Sequence, residues 1–168
     1  RPPMPAVAEV RGSSKAYCPL DEGQCWVCCE GSSAARPLLT TGCACRGSAG
    51  LAHLECLVAA ATHDVECWTT CPTCRQEYTG AADVGLARAR WALVRGRPAD
   101  DEERLFVANN LAVTLKESAG DNEGALALLL EVLAVRRRAL PPGAPPDAGT
   151  IDSMINAALQ HLEMGNLA

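Results

Sequence analysis

Eight cysteine and histidine side chains recur in four close pairs between residues 25 and 74 of this 168-residue chain. Structural zinc sites use such side chains, four to an ion, with no position left open for water. Four pairs within so short a segment therefore predict two tetrahedral zinc sites. The predicted ligands are Cys25, Cys28, Cys43, Cys45, His53, Cys56, Cys71 and Cys74.

The spacing leaves two ways of sharing the ligands. Two neighbouring pairs can share one ion, or two alternate pairs can share one ion in a cross-brace. In the cross-brace, pairs one and three bind one ion and pairs two and four bind the other. The first ion would take Cys25, Cys28, His53 and Cys56, and the second Cys43, Cys45, Cys71 and Cys74.

The chain contains ten cysteines, so a secreted disulfide scaffold is the competing explanation. All ten lie between residues 18 and 74, and a histidine at ligand spacing interrupts them. This pattern favours metal binding in a reducing compartment, the cytoplasm or the nucleus. No signal peptide is evident, and the most apolar run, residues 125–135, is too short to cross a membrane and contains Glu131.

The net charge of the chain disfavours nucleic acid as a partner. The formal value is -5 with neutral cysteines. Seven bound thiolates and two zinc ions would change it to -5 - 7 + 4 = -8. Phosphate backbones are bound by clusters of Lys and Arg. The one such run, Arg136 to Arg138, is predicted at a helix C-terminus, where cations complement the helix dipole.

The composition divides the chain into three segments. Residues 1–19 are rich in Pro, Gly and Ser and are predicted to be disordered. Residues 20–80 have few large apolar side chains, so their fold must depend on bound metal. Residues 81–168 change to Ala, Leu, Glu and Arg and are predicted to form an all-α segment.

Four helices are predicted in that last segment. Three cover about residues 81–95, 101–117 and 123–139, separated by a Gly-Arg-Pro stop and by the Gly120-Asp121 turn. A Pro-rich stretch precedes the fourth. Its apolar residues fall at helical spacing and comprise Ile151, Met154, Ile155, Ala158, Leu159 and Leu162.

A sequence echo links two of these helices. The stretch around Asn109 resembles that around Asn156, with an offset of about 45 to 47 residues. A helix pair repeated at this period is typical of a helical solenoid. We therefore predict a repeat array that is truncated within this chain; a small non-repeating bundle is the alternative.

The cysteine-rich segment resembles the RING-CH (RING-variant) zinc finger family. The ligand order is C4HC3 with the spacing C-x2-C-x14-C-x-C-x7-H-x2-C-x14-C-x2-C, and the segments 41–48 and 53–57 are also typical. The PHD finger shares the ligand order but has a wider second pair and a shorter interval before its histidine. The resemblance implies the cross-brace, a small domain with a short hairpin and one helix, and two zinc ions.

The same resemblance implies a ubiquitin E3 ligase that recruits a ubiquitin-loaded E2 without forming a covalent intermediate. Such an enzyme acts by holding a flexible reactant in a productive position. Val27, Pro72 and Trp68 would contact the E2. Arg75, which directly follows the last ligand, would be the linchpin that bonds both E2 and ubiquitin, because a guanidinium presents several fixed donors.

Each of these residues has a simpler explanation. Val27 and Pro72 can shape their turns, Arg75 can be a solvated charge, and Trp68 can belong to the core. Among the remaining cysteines, Cys29 could replace Cys28 as a ligand. Cys18, His63 and Cys67 could hold a third ion, and nothing marks a cysteine as a ubiquitin-accepting thiol.

The helical segment resembles tetratricopeptide repeats of the kinesin light chain type. The residues that carry this resemblance are Asn109 to Ala112, Leu133 to Arg137, and Pro146-Asp147 with Thr150. Such arrays bind protein or peptide substrates. The expected function is a RING-type E3 ligase whose repeats choose the substrate. The alternatives are a PHD-like peptide-binding finger and a non-catalytic scaffold.

Overall fold

The computed structural model of the protein describes residues 23–165. The segment predicted to be disordered, residues 1–19, lies outside these residues, as does Cys18. Within the described part, no helix combines the length and the apolar character that crossing a membrane would require.

The cysteine-rich domain, residues 23–79, contains little regular structure. Strand β1 (Leu38–Thr40) pairs antiparallel with β2 (Leu51–His53), and helix α1 (Leu54–His63) follows β2 without a loop. Two short 3-10 helices, Gly47–Gly50 and Val65–Trp68, complete the domain. A short hairpin with one helix agrees with the expectation from the sequence.

Metal-ligand side chains form much of the core of this domain. Cys25, Cys56 and Cys71 are buried together with Leu57, Trp68 and Tyr78. Only a few large apolar side chains take part, so the apolar burial that normally offsets chain entropy is small here. The arrangement of the cysteines must supply the remaining stability.

Helix α2 (Gly80–Val94) joins the cysteine-rich domain to the helical segment. Its Ala82 and Leu86 are fully buried in the core that contains the cysteines. Gly85 lets α1 approach closely, since a Cβ at this position would come 2.7 Å from Leu54 Cδ1. On another side of α2, Trp91 packs against the core of the later helices. One helix therefore contributes side chains to both cores.

Three further helices confirm the prediction of an all-α segment. They are α3 (Glu102–Ala119), α4 (Asn122–Ala139) and α5 (Ala148–Glu163). Each begins after an aspartate whose carboxylate accepts a hydrogen bond from the backbone N–H three residues on. These caps satisfy donors that have no partner within the helix. The capping residues are Asp101, Asp121 and Asp147.

Helices α2 to α5 pack in chain order, each against the next. Leu115 of α3, Leu129 of α4 and Ala157 of α5 belong to one core cluster. Helices α3 and α5 also meet directly. Asn156 Nδ2 lies 3.4 Å from Asn109 Oδ1, and Lys116 Nζ lies 2.7 Å from Glu163 Oε2. The residues that echo one another in sequence are thus neighbours in the structure.

Helix α5 packs through the side that is less apolar. Its buried residues are Thr150, Ser153, Ala157 and Gln160. The Gln160 side chain donates a hydrogen bond to Asn122 Oδ1 over 3.0 Å, which ties α5 to the first turn of α4. The apolar series that defined this helix in the sequence faces outward, so periodicity located the helix without identifying its packed face.

The shared position of α2 generates a stability prediction. Leu86→Ala should lower the free energy of unfolding of the metal-loaded protein by about 2–5 kcal/mol, because it leaves a cavity in a core with few large side chains. Urea unfolding followed by circular dichroism measures this. Leu93→Ala, in the same helix at a residue that is 61% exposed, is the control and should change stability by less than about 0.5 kcal/mol. Equal effects would contradict this account of α2.

Candidate metal centre

The strand-to-helix junction builds the first ligand cluster. His53 is the last residue of β2, and Cys56 follows in the first turn of α1. The turn that carries Cys25 and Cys28 meets them from the other side. His53 Nδ1 lies 3.4 Å from Cys28 Sγ and 3.8 Å from Cys56 Sγ. The His53 backbone N–H donates to Cys25 Sγ over 3.5 Å, so all four side chains converge.

The second cluster brings together two distant segments. Cys43 and Cys45 precede the 3-10 helix Gly47–Gly50, and Cys71 and Cys74 lie in a turn after residues 65–68. Cys45 Sγ and Cys71 Sγ are 3.8 Å apart. In each cluster, the four candidate ligand atoms all lie within 4.8 Å of one another. The pairs alternate between the clusters, which confirms the cross-brace.

These distances fit a tetrahedral metal site. Zinc binds sulfur at about 2.3 Å and nitrogen at about 2.0 Å, so ligand atoms on a tetrahedron lie roughly 3.5–3.8 Å apart. The separations of 3.4 and 3.8 Å match those edges. The first cluster offers three thiolates and one imidazole, and the second offers four thiolates. Both sets are those of a closed structural site.

Electrostatics also favour a cation at each cluster. Burial raises the pKa of the Cys45 thiol, and contacts with Cys43, Cys74 and Cys71 raise it further. Burial likewise raises the pKa of Cys56 to about 12, with the negative charge of Cys25 as the next cause. Thiols so close together cannot all ionise unless a cation compensates their charge. A divalent ion would provide that charge.

The two Cys-x2-Cys turns have the same backbone structure. In the first, the Cys25 N–H donates to the Glu30 carbonyl and the Cys29 N–H donates to the Cys25 carbonyl, over 2.9 and 2.8 Å. In the second, Cys71 and Arg75 make the equivalent bonds over 2.8 and 2.9 Å. Cys29 and Arg75 have φ of 63° and 60°, a left-handed conformation that is uncommon for residues other than glycine.

Cys29 therefore occupies the position directly after the second cysteine of its turn, and Arg75 occupies the equivalent position in the other turn. The alternative in which Cys29 replaces Cys28 as a ligand is not supported, because the first cluster contains Cys28. Among the described residues, His63 and Cys67 belong to no ligand cluster, and Cys18 lies outside those residues. Cys67 is 5% exposed, and burial raises the pKa of its thiol.

Outer contacts hold the ligands in place. His53 Nε2 lies 3.1 Å from the Gly31 carbonyl oxygen, to which its N–H can donate while Nδ1 faces the thiols. Thr41, which is 1% exposed, places its hydroxyl 3.2 Å from Cys43 Sγ. Such contacts fix ligand orientation and tune metal affinity.

Arg36 makes the contact that sequence analysis missed. Its guanidinium donates to Cys56 Sγ over 3.4 Å and to Glu30 Oε2 over 2.6 Å. It therefore places a positive charge beside the thiolates of the first cluster. No sequence signal distinguishes Arg36 from other arginines, since its approach to Cys56 spans twenty residues of chain.

The residues predicted to contact an E2 occupy different environments. Val27 is 39% exposed and Pro72 is partly exposed, each between the two cysteines of its turn. The Arg75 side chain is 69% exposed and forms a surface ion pair with Glu66 over 3.3 Å. Trp68 is only 8% exposed and packs in the core, with the Arg90 guanidinium 5.9 Å from its ring centroid. Because so little of it is accessible, we assign Trp68 to core packing.

Comparison with protein-family profiles, curated proteins and solved structures found no match to this chain.

The cross-brace predicts the metal content. The protein purified without chelator should contain two zinc ions per chain by elemental analysis. Cys71→Ala should lower the content to one ion or fewer and loosen the domain, since it removes a ligand from a closed site. Cys67→Ala is the matched control, because Cys67 is also buried but lies outside both clusters; it should retain two ions. Loss of an ion from the Cys67 variant would contradict the ligand assignment.

Arg36 should slow the release of metal from the first cluster. Arg36→Gln is expected to weaken metal binding at the first cluster by about tenfold. This is the lower end of the range for outer contacts, because the guanidinium is partly exposed. A colorimetric chelator assay measures it. Arg46→Gln is the control, since the Arg46 guanidinium donates to the carbonyls of Ala44 and Cys45 and, among the described residues, to no thiol of the first cluster. Equal metal release by the two variants would show that Arg36 is dispensable.

Proposed function

We propose that this protein is a RING-type E3 ubiquitin ligase. Its cysteine-rich domain would recruit a ubiquitin-loaded E2, and its helices would bind the substrate. The observation that carries the proposal is the cross-brace of C4HC3 ligands with an exposed arginine directly after the last ligand. Two zinc ions would occupy the clusters and act structurally, because each cluster already supplies four protein ligands.

The available surface supports this function. Val27 and Pro72 leave apolar surface accessible on the two equivalent turns. Arg75 is exposed, and its ion pair with Glu66 is itself on the surface, with side chains 69% and 68% exposed. Such a pair contributes little to stability, so exchanging it for bonds to an E2 and ubiquitin costs little.

The ligase would act by positioning. The ubiquitin attached to an E2 moves freely, and holding it in a reactive arrangement removes that disorder before the chemical step. The Arg75 guanidinium has donors enough for carbonyls of two partners at once. No covalent intermediate on this chain is needed. The proposal gives substrate binding to the helical segment, because its helices α2 to α5 pack side by side in chain order, as in arrays that bind peptides.

The second candidate is a non-catalytic scaffold. The observation that favours it is the sharing of α2 between two cores, which would make the cysteine-rich domain a brace for the helices. A PHD-like peptide reader has less support. Within residues 23–79, Trp68 and Tyr78 are buried and only Trp26 is partly exposed, so these aromatic side chains form no cage for a modified lysine.

The ligase proposal predicts E2-dependent discharge of ubiquitin. The zinc-loaded full chain should accelerate discharge from at least one loaded E2 in a broad panel. Arg75→Ala should slow it by about tenfold or more, because one charge-assisted hydrogen bond contributes about 1.5–3 kcal/mol. Gel analysis of E2–ubiquitin decay measures the rate.

Arg88→Ala is the control for Arg75→Ala. Arg88 is exposed on α2, outside the cysteine-rich domain, so its removal should leave discharge unchanged. Zinc content is measured for both variants. Failure of the zinc-loaded wild type across the panel would overturn the ligase proposal in favour of the scaffold. Equal activity of wild type and Arg75→Ala would remove Arg75 from the mechanism.

A further inference from the structure

Helix α5 carries an apolar stripe that no described residue covers. We call it the outer face of α5. Its residues are between 38% and 51% exposed: Ile151, Met154, Ile155, Leu159 and Leu162. Single exposed apolar side chains are ordinary, but a contiguous stripe along one helix marks a contact surface.

The same face is covered on α3, the helix that α5 echoes. A shift of 47 residues superposes Asn109 on Asn156, which are hydrogen-bonding neighbours in the structure. The shift maps four buried residues of α3 onto the outer face. Val107, which corresponds to Met154, is 2% exposed. Ala108, Ala112 and Leu115 are 3%, 1% and 6% exposed. Their equivalents are Ile155, Leu159 and Leu162, which are 50%, 49% and 51% exposed.

Helix α4 covers three of these residues of α3. Ala108 lies in one cluster with Val132 and Val135 of α4. Ala112 and Leu115 lie in another with residues of the same helix, namely Ala125, Leu129 and Leu133. The outer face of α5 is therefore equivalent to the face of α3 that α4 buries. On α5, no described helix covers it.

The end of α5 resembles the end of α3 at an offset of 45 residues, because the glycine that follows α5 comes two residues earlier in the aligned repeat. Gly120 follows α3 with φ of 67°, and Gly165 follows α5 with φ of 70°. After Gly120, the Asp121 carboxylate accepts from the Gly124 N–H over 2.9 Å and begins α4. In the sequence, Asn166 follows Gly165, and asparagine is as strong an N-cap residue as aspartate. A left-handed glycine before an N-cap residue is the turn that reverses the chain from α3 into α4.

We propose that the outer face of α5 is the docking surface for one further helix of the same array, which completes the α5 repeat as α4 completes the α3 repeat. The helix runs antiparallel to α5, just as α4 runs antiparallel to α3 after a two-residue turn. It presents Ala, Leu and Val at helical spacing. Because Ile155 and Leu159 are larger than Ala108 and Ala112, it offers small side chains opposite them. This inference does not depend on the proposed ligase activity.

The test is a protein extended by one helix. In it, a copy of residues 120–140 is fused after Met164, and the copy carries Val132→Ala and Val135→Ala to leave room for Ile155, which is larger than Ala108. In the matched control, the appended copy also carries Leu129→Ser and Leu133→Ser, which remove two residues that α4 buries. Oxidation of Met154 by dilute peroxide, located by mass spectrometry, reports cover of the outer face. Hydrogen exchange of residues 148–163 and light scattering are measured in parallel.

We expect the extended protein to be monomeric, with Met154 oxidation and α5 exchange at least about fivefold slower than in the original chain. The serine control should behave like the original chain. Equal rates in the extended protein and its control would overturn the proposal. It would also be overturned if the original chain formed a dimer that already protected Met154 and that Ile155→Lys dissociated, since a second copy would then occupy the face.

Discussion

The convergence of four soft ligands at each of two points is the constraint on which the cysteine-rich domain depends. Each cluster joins segments that are more than twenty residues apart, and the alternation of pairs ties the two clusters to each other. Ligands hold both ends of the loop between Cys28 and Cys43, and His53 and Cys56 hold the end of β2 and the first turn of α1. The described part of this domain has few large apolar side chains, so a metal ion bound at each cluster would take the place of an extensive core.

That constraint extends into the helices through α2. Leu86 is buried among the cysteine-rich domain's residues, while Trp91 of the same helix packs on the core of α3 and α4. Arg90 lies between the rings of Trp68 and Phe106, at 5.9 and 5.6 Å from their centroids. These cation–π contacts further stabilise the junction between the cysteine-rich domain and the helices. The packing of α2 in both cores thus couples the ligand clusters to the helices.

The helical segment shows why apolar periodicity has to be interpreted together with neighbours. On α3, the apolar face is covered and stabilises the fold. On α5, the equivalent face is bare, and α5 is held instead by small and polar residues such as Ser153 and Gln160. Hydrogen bonds from Gln160 to Asn122 and close packing at Ala157 replace the apolar contact. The polar side of a helix in an array can therefore be its inner side.

The sequence by itself determined the features that depend on local chemistry. The eight candidate ligands follow from residue type and spacing. The bounds of α3 and α4 follow to within about two residues from the Gly-Arg-Pro stop and the Gly120-Asp121 turn, because such breakers act locally. The spacing left the sharing of ligands open, and only the resemblance to RING-CH fingers favoured the cross-brace that the structure contains. Tertiary structure alone decided the burial of Trp68, the contact of Arg36 with Cys56 and the packed face of α5. Each depends on atoms brought together from distant parts of the chain, and neither composition nor periodicity encodes which neighbour arrives.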